Sequence, residues 1–214
     1  MSGTMPQRVI YVVGRRRLQN ELIGACLEQE TGAKCLLGEE LRHVSPCNGT
    51  PKLVLWDCPE RDPERILVTL TSSRIRKICQ DGMVLFNISH GLGIEEKCVW
   101  RGVRGFFYED DSLPQFVKGV RAILDGQLWL SRELVTRCIV ENKGRDNLSE
   151  KGSSVLTARE GEILAQLAVG ATNDEIADVL SISPHTVKTH LYNIYKKLNV
   201  PNRLQASLWA AKNL

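Results

Sequence analysis

The sequence has no apolar run that approaches the roughly 18–20 residues needed to cross a membrane as a helix. Its longest apolar stretches, such as Leu53–Trp56 and Met83–Phe86, are only as long as a strand. The arginines near the start follow a short apolar run, which is the opposite of the order in a secretory signal. We therefore expect a cytoplasmic protein with no membrane partner.

The seven cysteines contain no CxxC pair, and an odd number cannot all pair within the chain. This pattern argues against a disulfide framework and against a structural zinc site. The sequence also lacks a glycine-rich phosphate loop and a metal-ligand cluster, and none of its four histidines accompanies a plausible nucleophile. We therefore expect no metal and no enzyme activity.

The charge balance is nearly even, with 28 basic and 25 acidic residues in 214. A net charge of +3 is too small to indicate a nucleic-acid partner, so such a partner has to be argued from where the charges lie. With 43% apolar and 25% charged residues, the chain has a globular composition and a length that suits one large or two small domains.

Short apolar runs alternate with amphipathic stretches over residues 8–125. The runs predict strands at Arg8–Val13, Lys52–Trp56, Met83–Ile88 and Gly105–Tyr108. The amphipathic stretches predict helices at Leu18–Glu28, Pro63–Thr71 with a continuation, and Leu113–Leu124, and a further helix follows at Arg132–Glu141. This alternation predicts parallel strands joined by helices, as in a doubly wound α/β fold. We expect this domain to span residues 1–141, followed by an apolar-poor linker at 142–154.

Residues 155–214 predict a small, all-α domain of four helices. Thr157 and Thr172 are each followed three residues later by a glutamate, which is the pattern of a capping box, and Ser183 precedes Pro184 as a helix cap. Two short helices joined by a tight turn, with the second beginning Ser-Pro, are typical of a helix-turn-helix.

The second helix of this pair separates into two faces. Val187, Leu191, Ile194 and Leu198 follow core spacing, whereas the opposite face carries His185, Lys188, Thr189, Tyr192 and Lys196 and no carboxylate. A basic and aromatic face without acids suits the DNA major groove, since carboxylates repel phosphates. Lys188 and Thr189 are placed for base edges, and Lys196 and Arg203 for phosphates. The alternative is a solvated surface.

The segment LTAREGEILAQLAVGATNDEIADVLSISPHTVKTHLYNIYKKLNVPNRLQA resembles the LuxR-type helix-turn-helix over about fifty residues. The resemblance implies a DNA-binding domain that acts as a homodimer, with base contacts from Lys188, Thr189 and Tyr192. Within that family the tail is similar to the biofilm-matrix and curli regulators of the VpsT/CsgD group.

The α/β half resembles the receiver domain of response regulators, and the resemblance implies a parallel five-stranded sheet. The resemblance places Asp57 at the position of the phosphoacceptor, but most of the accompanying groups are replaced. Gly14 and Arg15–Arg17 follow the first strand where two acids would hold Mg²⁺, Asn87 stands where a Ser or Thr is expected, and Glu109 where a Lys is expected. Without Mg²⁺ ligands phosphoryl transfer lacks charge neutralisation, so we interpret Asp57 as vestigial. Either the arginines at 15–17 pair with Asp57, or it caps a loop.

Trp129-Leu-Ser-Arg132 combines an aromatic ring, a hydroxyl and a guanidinium at the predicted start of a helix. Such groups suit a guanine nucleotide, because helix N-termini and hydroxyls bind phosphate and arginine binds guanine. The motif is similar to the W-[FLM]-[TS]-R signature for cyclic di-GMP in VpsT-like regulators. That resemblance assigns Trp129, Ser131 and Arg132 to this ligand, with Lys118 as a further phosphate contact. Plain packing and another ligand are the alternatives.

The sequence therefore predicts a transcriptional regulator that cyclic di-GMP controls through dimerisation. The competing hypothesis is a regulator of the same DNA-binding kind that is switched by phosphorylation of Asp57 or by a protein partner.

Overall fold

The computed structural model describes residues 8–44, 52–58, 62–142 and 156–214. The chain divides into two compact units, Met1–Arg121 and Ala122–Leu214. Apart from residue 142, the predicted linker lies outside the described residues. The domain boundaries at 141 and 155 therefore stay predictions.

The first unit is built on a sheet of five parallel strands, which confirms the predicted fold class. The strands are β1 (Val9–Val13), β2 (Lys34–Gly38), β3 (Lys52–Asp57), β4 (Met83–Ile88) and β5 (Val103–Tyr108). Their order across the sheet is β2-β1-β3-β4-β5. The central strands β3 and β4 are buried along almost their whole length, which explains why they stand out as apolar runs.

The edge strand β2 has no counterpart among the predicted strands. It pairs only with β1, and its residues are half-exposed or exposed. A short edge strand needs neither a continuous apolar run nor β-branched residues. The KCLLG segment has only three consecutive apolar residues and no β-branched one, so residue pattern alone did not locate the strand.

In the described residues of the first unit, five α-helices connect or follow the strands, and a single 3-10 turn lies at Leu41–His43. They are α1 (Arg17–Thr31), α2 (Pro63–Thr71), α3 (Ser73–Asp81), α4 (Glu95–Val99) and α5 (Leu113–Leu124), and α5 continues into the second unit. The bounds of α2 and α5 match the predictions, whereas α1 is longer at both ends. It stops at Gly32, whose left-handed φ of 67° closes the helix and favours glycine. Among the described residues, no helix is long and apolar enough to span a membrane.

The second unit is helical in its described part. Its complete helices are α6 (Arg132–Asn142), α7 (Ala158–Ala168), α8 (Asn173–Leu180), α9 (Pro184–Leu198) and α10 (Arg203–Asn213). Both predicted capping boxes form, because Thr157 and Thr172 each exchange hydrogen bonds with the glutamate three residues later. The Ser183 hydroxyl accepts from the Thr186 amide at 3.0 Å, so the predicted start of α9 is confirmed.

The core formed by α7 to α10 joins the apolar faces that their spacing predicted. Val187, Leu191, Ile194 and Leu198 are all buried. Trp209 on α10 is the largest fully buried side chain, with 1% of its surface exposed. The core thus holds one face of α9 inward and leaves the other face outward.

We expect Trp209→Ala to destabilise the helical unit by about 3–5 kcal/mol, since it removes a large buried ring and leaves a cavity. Thermal unfolding followed by circular dichroism measures the change. Leu214→Ala is the matched control because Leu214 is 71% exposed and should melt like the wild type. Equal melting temperatures for the two variants would contradict this account of the core.

Candidate DNA and messenger sites

The outward face of α9 carries the residues that the sequence predicted for DNA contact. His185, Thr189, Tyr192 and Lys196 are exposed, and the Tyr192 ring keeps 42% of its surface in solvent. Ser183 and Pro184 begin the helix at its exposed end, and Asn199 closes it in the left-handed conformation with φ of 53°. The face is polar, aromatic and basic along about three turns, which suits insertion into a major groove.

Lys188 is the exception on this face. Its side chain is only 22% exposed, and its Nζ lies 3.2 Å from Oδ1 of Asp125 in the turn after α5. The helix itself has no carboxylate, but the fold brings one to it from 63 residues away. No spacing rule links residues that far apart, so sequence reasoning missed this contact.

We predict that Arg203 contacts phosphates, but in the structure its guanidinium binds groups of the protein itself. Its guanidinium donates to the Ala171 carbonyl oxygen and, at 3.2 Å, to Asn173 Oδ1. Burial lowers the pKa of this guanidinium below its ordinary value. In this structure Arg203 ties α10 to the start of α8, and its role at DNA stays a prediction.

An ion pair between Lys197 and Glu160 anchors the C-terminal end of α9. Glu160, which closes the capping box of α7, is buried and accepts from Lys197 Nζ at 2.6 Å. Burial acts to raise the pKa of Glu160, but the hydrogen bonds from Lys197 and Thr157 outweigh it and lower this pKa. The Glu160–Lys197 pair anchors α9 to α7 on the side away from its predicted DNA-contacting face.

The predicted messenger motif lies at the start of α6. Ser131 Oγ accepts from the Leu134 amide at 3.2 Å, so the predicted cap is formed. Arg132, the first residue of the helix, is exposed, and Trp129 is half-buried. Lys118 is exposed on α5 within the first unit. Trp129, Ser131 and Arg132 are neighbours in sequence at the start of α6, whereas Lys118 lies on α5. The ligand role of all four residues stays a prediction.

Asp57 ends β3 in a closed pocket. Its side chain is 1% exposed, and its Oδ1 accepts from the Asn87 amide at 2.8 Å. Asn87 takes a left-handed φ of 54°. A Cβ on Gly14 would come within 2.8 Å of Asp57 Oδ2, so the backbone of residue 14 closes the other side.

The hypothesis that arginines 15–17 pair with Asp57 is wrong. All three side chains are exposed, and Arg17 Nε binds Glu21 Oε1 at 2.9 Å. Asn87 donates to Asp57 from the end of the neighbouring strand β4, and its amide can do so without bringing a second charge into the buried site. Within the described part of the chain, no group of three or more His, Cys, Asp or Glu side chains is arranged to hold a metal ion.

His90 lies in the loop after β4, where it contacts Asp110 and Tyr108. Its Nε2 lies 2.8 Å from Asp110 Oδ1, and its ring stacks on Tyr108 at 4.0 Å between centroids. The hydrogen bond from His90 lowers the pKa of Asp110. These contacts join the loop after β4 to the loop after β5.

Two protein families match separate parts of the chain. Residues 154–210 match the family of bacterial regulatory proteins called luxR, and residues 52–132 match a VpsT-like receiver domain.

Curated relatives match most of the chain. The CsgBAC operon transcriptional regulatory protein of Escherichia coli K12 is 41% identical over 162 residues, which cover 76% of this chain and 74% of the relative. The probable csgAB operon regulatory protein of Salmonella typhimurium LT2 is 36% identical over the same shares. By name both are transcriptional regulators rather than enzymes. The regulatory domain of the master biofilm regulator CsgD has a similar fold, with a TM-score of 0.50 at 17% identity over 62% of this chain and 98% of that domain.

We expect opposite effects from alanine at two glycines, one packed against Asp57 and one in α7 with space around it. Gly14→Ala should destabilise the protein by about 1–3 kcal/mol, since its methyl group has no space beside Asp57. Gly161→Ala should stabilise α7 by about 0.5–1 kcal/mol, because nothing lies within 4 Å of the added methyl group. Differential scanning calorimetry separates them, and a stabilising Gly14→Ala would mean that the pocket is open.

Proposed function

From the premise that this chain belongs to the luxR family of DNA-binding transcriptional regulators and carries a VpsT-like receiver domain, we propose that cyclic di-GMP controls its binding to promoter DNA. The observation that carries the DNA-binding half is the outward face of α9. It exposes His185, Thr189, Tyr192 and Lys196 and has no carboxylate of its own.

Each copy of the chain presents one such face, and we propose that the working form is a homodimer. Two copies related by a two-fold axis bind two half-sites, and the second contact gains from effective concentration. The proposed operator is therefore a roughly palindromic sequence that is read by Lys188, Thr189 and Tyr192 in each copy.

Control by a nucleotide is supported by the contrast between two sites. The Asp57 carboxyl group is buried and hydrogen-bonded, and among the described residues no cluster of acids is arranged to hold a metal ion, so it is poorly suited to accept a phosphoryl group. Arg132 is exposed beside a capped helix start, where backbone amides and a guanidinium can bind an anionic guanine nucleotide. These features favour a messenger at Arg132 over phosphorylation at Asp57.

The proposed mechanism is linkage between ligand binding and dimerisation. A ligand that binds only the dimer moves the monomer–dimer equilibrium by its difference in affinity for the two states. Trp129 would contribute stacking area, Ser131 a phosphate contact, Arg132 the guanine contact and Lys118 a further charge. Both proposed partners, cyclic di-GMP and chromosomal DNA, occur in the bacterial cytoplasm.

The names of the curated relatives suggest the targets. Those relatives regulate csg operons, and a related regulatory domain comes from a biofilm regulator. We propose that this chain regulates genes of the biofilm matrix or of surface adhesion.

We expect Lys188→Ala to weaken binding to the selected operator about tenfold, because a base or phosphate contact at the groove is lost. The operator is first obtained by selection from a random duplex pool, and affinity is measured by fluorescence anisotropy with cyclic di-GMP in excess. Lys212→Ala removes the same charge from an exposed site on α10 and should lose less than threefold. Failure of the wild type to prefer any duplex over random DNA would overturn the DNA-binding assignment.

We expect Arg132→Ala to weaken cyclic di-GMP binding at least tenfold, since the charged contact to the nucleotide is removed. Isothermal titration calorimetry measures this against wild type, with micromolar affinity expected there. Arg137→Ala is the control, because Arg137 is an exposed arginine of the same helix and lies outside the motif. No heat from the wild type, or equal binding by the Arg132 variant, would contradict the messenger site.

A further inference from the structure

A cavity of about 440 Å³ opens in the first unit between the first turns of α1 and α5. Asn87 and Glu109 line it, so it lies at the carboxyl ends of β4 and β5. Pockets that hold small molecules have volumes of roughly 300–1,000 Å³. In open α/β sheets they lie at the carboxyl ends of the strands. The size and the position of this cavity therefore suit a small molecule.

Three phenylalanines form the floor of the cavity. Phe86 and Phe107 are each only 1% exposed. Phe116 packs against both of them, with ring centroids 5.7 Å from Phe86 and 4.5 Å from Phe107. The rings hold one another in place, so the floor needs no rearrangement to receive a ligand. Because aromatic rings pack well on other rings and on hydrocarbon, this floor suits an aromatic or hydrocarbon body.

Exposed leucines form the walls of the cavity. Leu18 and Leu22 of α1 are 72% and 65% exposed, and Leu113 of α5 is 53% exposed. Leu18 and Leu22 are four residues apart, so they lie one above the other on the same face of the helix. A ligand between these walls removes their apolar surface from water, which favours its binding.

The charge at the mouth of the cavity selects the kind of ligand. Among the described residues that line the cavity, Glu109 and Asp111 are acidic and none is basic. The Oδ2 atom of Asp111 accepts from the Tyr108 backbone amide at 2.7 Å, which fixes this carboxylate, and Glu109 is exposed. The neighbouring Asp110 pairs with His90. Two carboxylates at the mouth repel an anionic ligand and attract a cationic one.

We propose that this cavity binds a small apolar amine, a molecule with an aromatic or hydrocarbon body and one ammonium group. The body lies on the phenylalanine floor between the leucine walls, and the ammonium group pairs with the carboxylates of Glu109 and Asp111. Asn87 lines the same cavity and donates to the buried Asp57, so a bound amine is next to that carboxyl group. The lining includes none of the residues proposed above for cyclic di-GMP, so the two sites stand or fall independently.

The first test titrates the full chain, without cyclic di-GMP, with tryptamine and with indole-3-propionate. The two probes share an indole body and a two-carbon arm, and they differ in the charge at its end. We expect tryptamine to bind with a dissociation constant on the order of 1 mM or lower. It should bind about fivefold more tightly than indole-3-propionate, because of the two carboxylates. Ligand-observed NMR measures both affinities. Equal affinities, or no binding of tryptamine, overturn the amine site.

A charge reversal tests the mouth of the cavity. Glu109→Lys should weaken tryptamine binding about fivefold and remove the preference over indole-3-propionate, since the attracting charge becomes a repelling one. Glu64→Lys is the matched control, because Glu64 is an exposed glutamate of α2 outside the lining. It should change either affinity less than about twofold. Unchanged tryptamine affinity in Glu109→Lys overturns the pairing at the mouth.

A substitution in the wall tests the place of binding. Leu22→Lys puts a cation beside the bound amine and should weaken tryptamine binding about fivefold. Val68→Lys changes an equally exposed apolar residue of α2, at 69%, and should bind tryptamine like the wild type. Circular dichroism melting confirms that all variants fold. Equal tryptamine binding by Leu22→Lys and Val68→Lys means that tryptamine binds elsewhere, which overturns the proposal.

Sedimentation velocity without ligand tests the other occupant of an apolar wall, a second copy of this chain. We expect Leu22→Lys to leave the oligomeric state of the wild type unchanged. If Leu22→Lys instead breaks up a complex that the wild type forms, and tryptamine binds neither protein, the wall is an interface between copies. The amine site is then overturned, whereas cyclic di-GMP binding, measured separately by calorimetry, still decides the function proposed above.

Discussion

The division of α9 into two faces is the constraint on which the function of this chain depends. Four apolar residues at helical spacing bury one face against Trp209 and its neighbours, so the other face has to point outward. Caps at Ser183 and Asn199 set where the helix starts and stops, and the Glu160–Lys197 pair ties it to α7. Packing therefore places the side chains that we predict to read DNA on the opposite side.

The first unit keeps the fold of a receiver, and Asp57 lies at the end of β3 with Asn87 and the backbone of Gly14 packed around it. The buried setting of this carboxyl group supports the prediction that Asp57 is vestigial. The segment between α5 and α6 offers an exposed arginine and a contact with the recognition helix, which is why the proposed signal is assigned to it.

Residue pattern predicted most of the second unit because its determinants are local. A capping box spans four residues and a helical face repeats within seven, so both are visible without any tertiary information. The same reasoning did not locate β2, since three apolar residues without a β-branched one are a weak strand signal. It also could not show that the guanidinium of Arg203 turns inward to Ala171 and Asn173, because no local pattern indicates that contact. The phosphate contact of Arg203 stays a prediction.

The sequence by itself determined the two-part organisation, the parallel α/β sheet, the helix-turn-helix and the loss of the Mg²⁺-binding acids. All of these depend on residue type and short-range spacing. The tertiary structure decided which charges meet: Asn87 with Asp57, Lys197 with Glu160, and Asp125 with Lys188. Ion pairs between residues 30 to 63 positions apart follow from how the elements pack, and no local pattern encodes that packing.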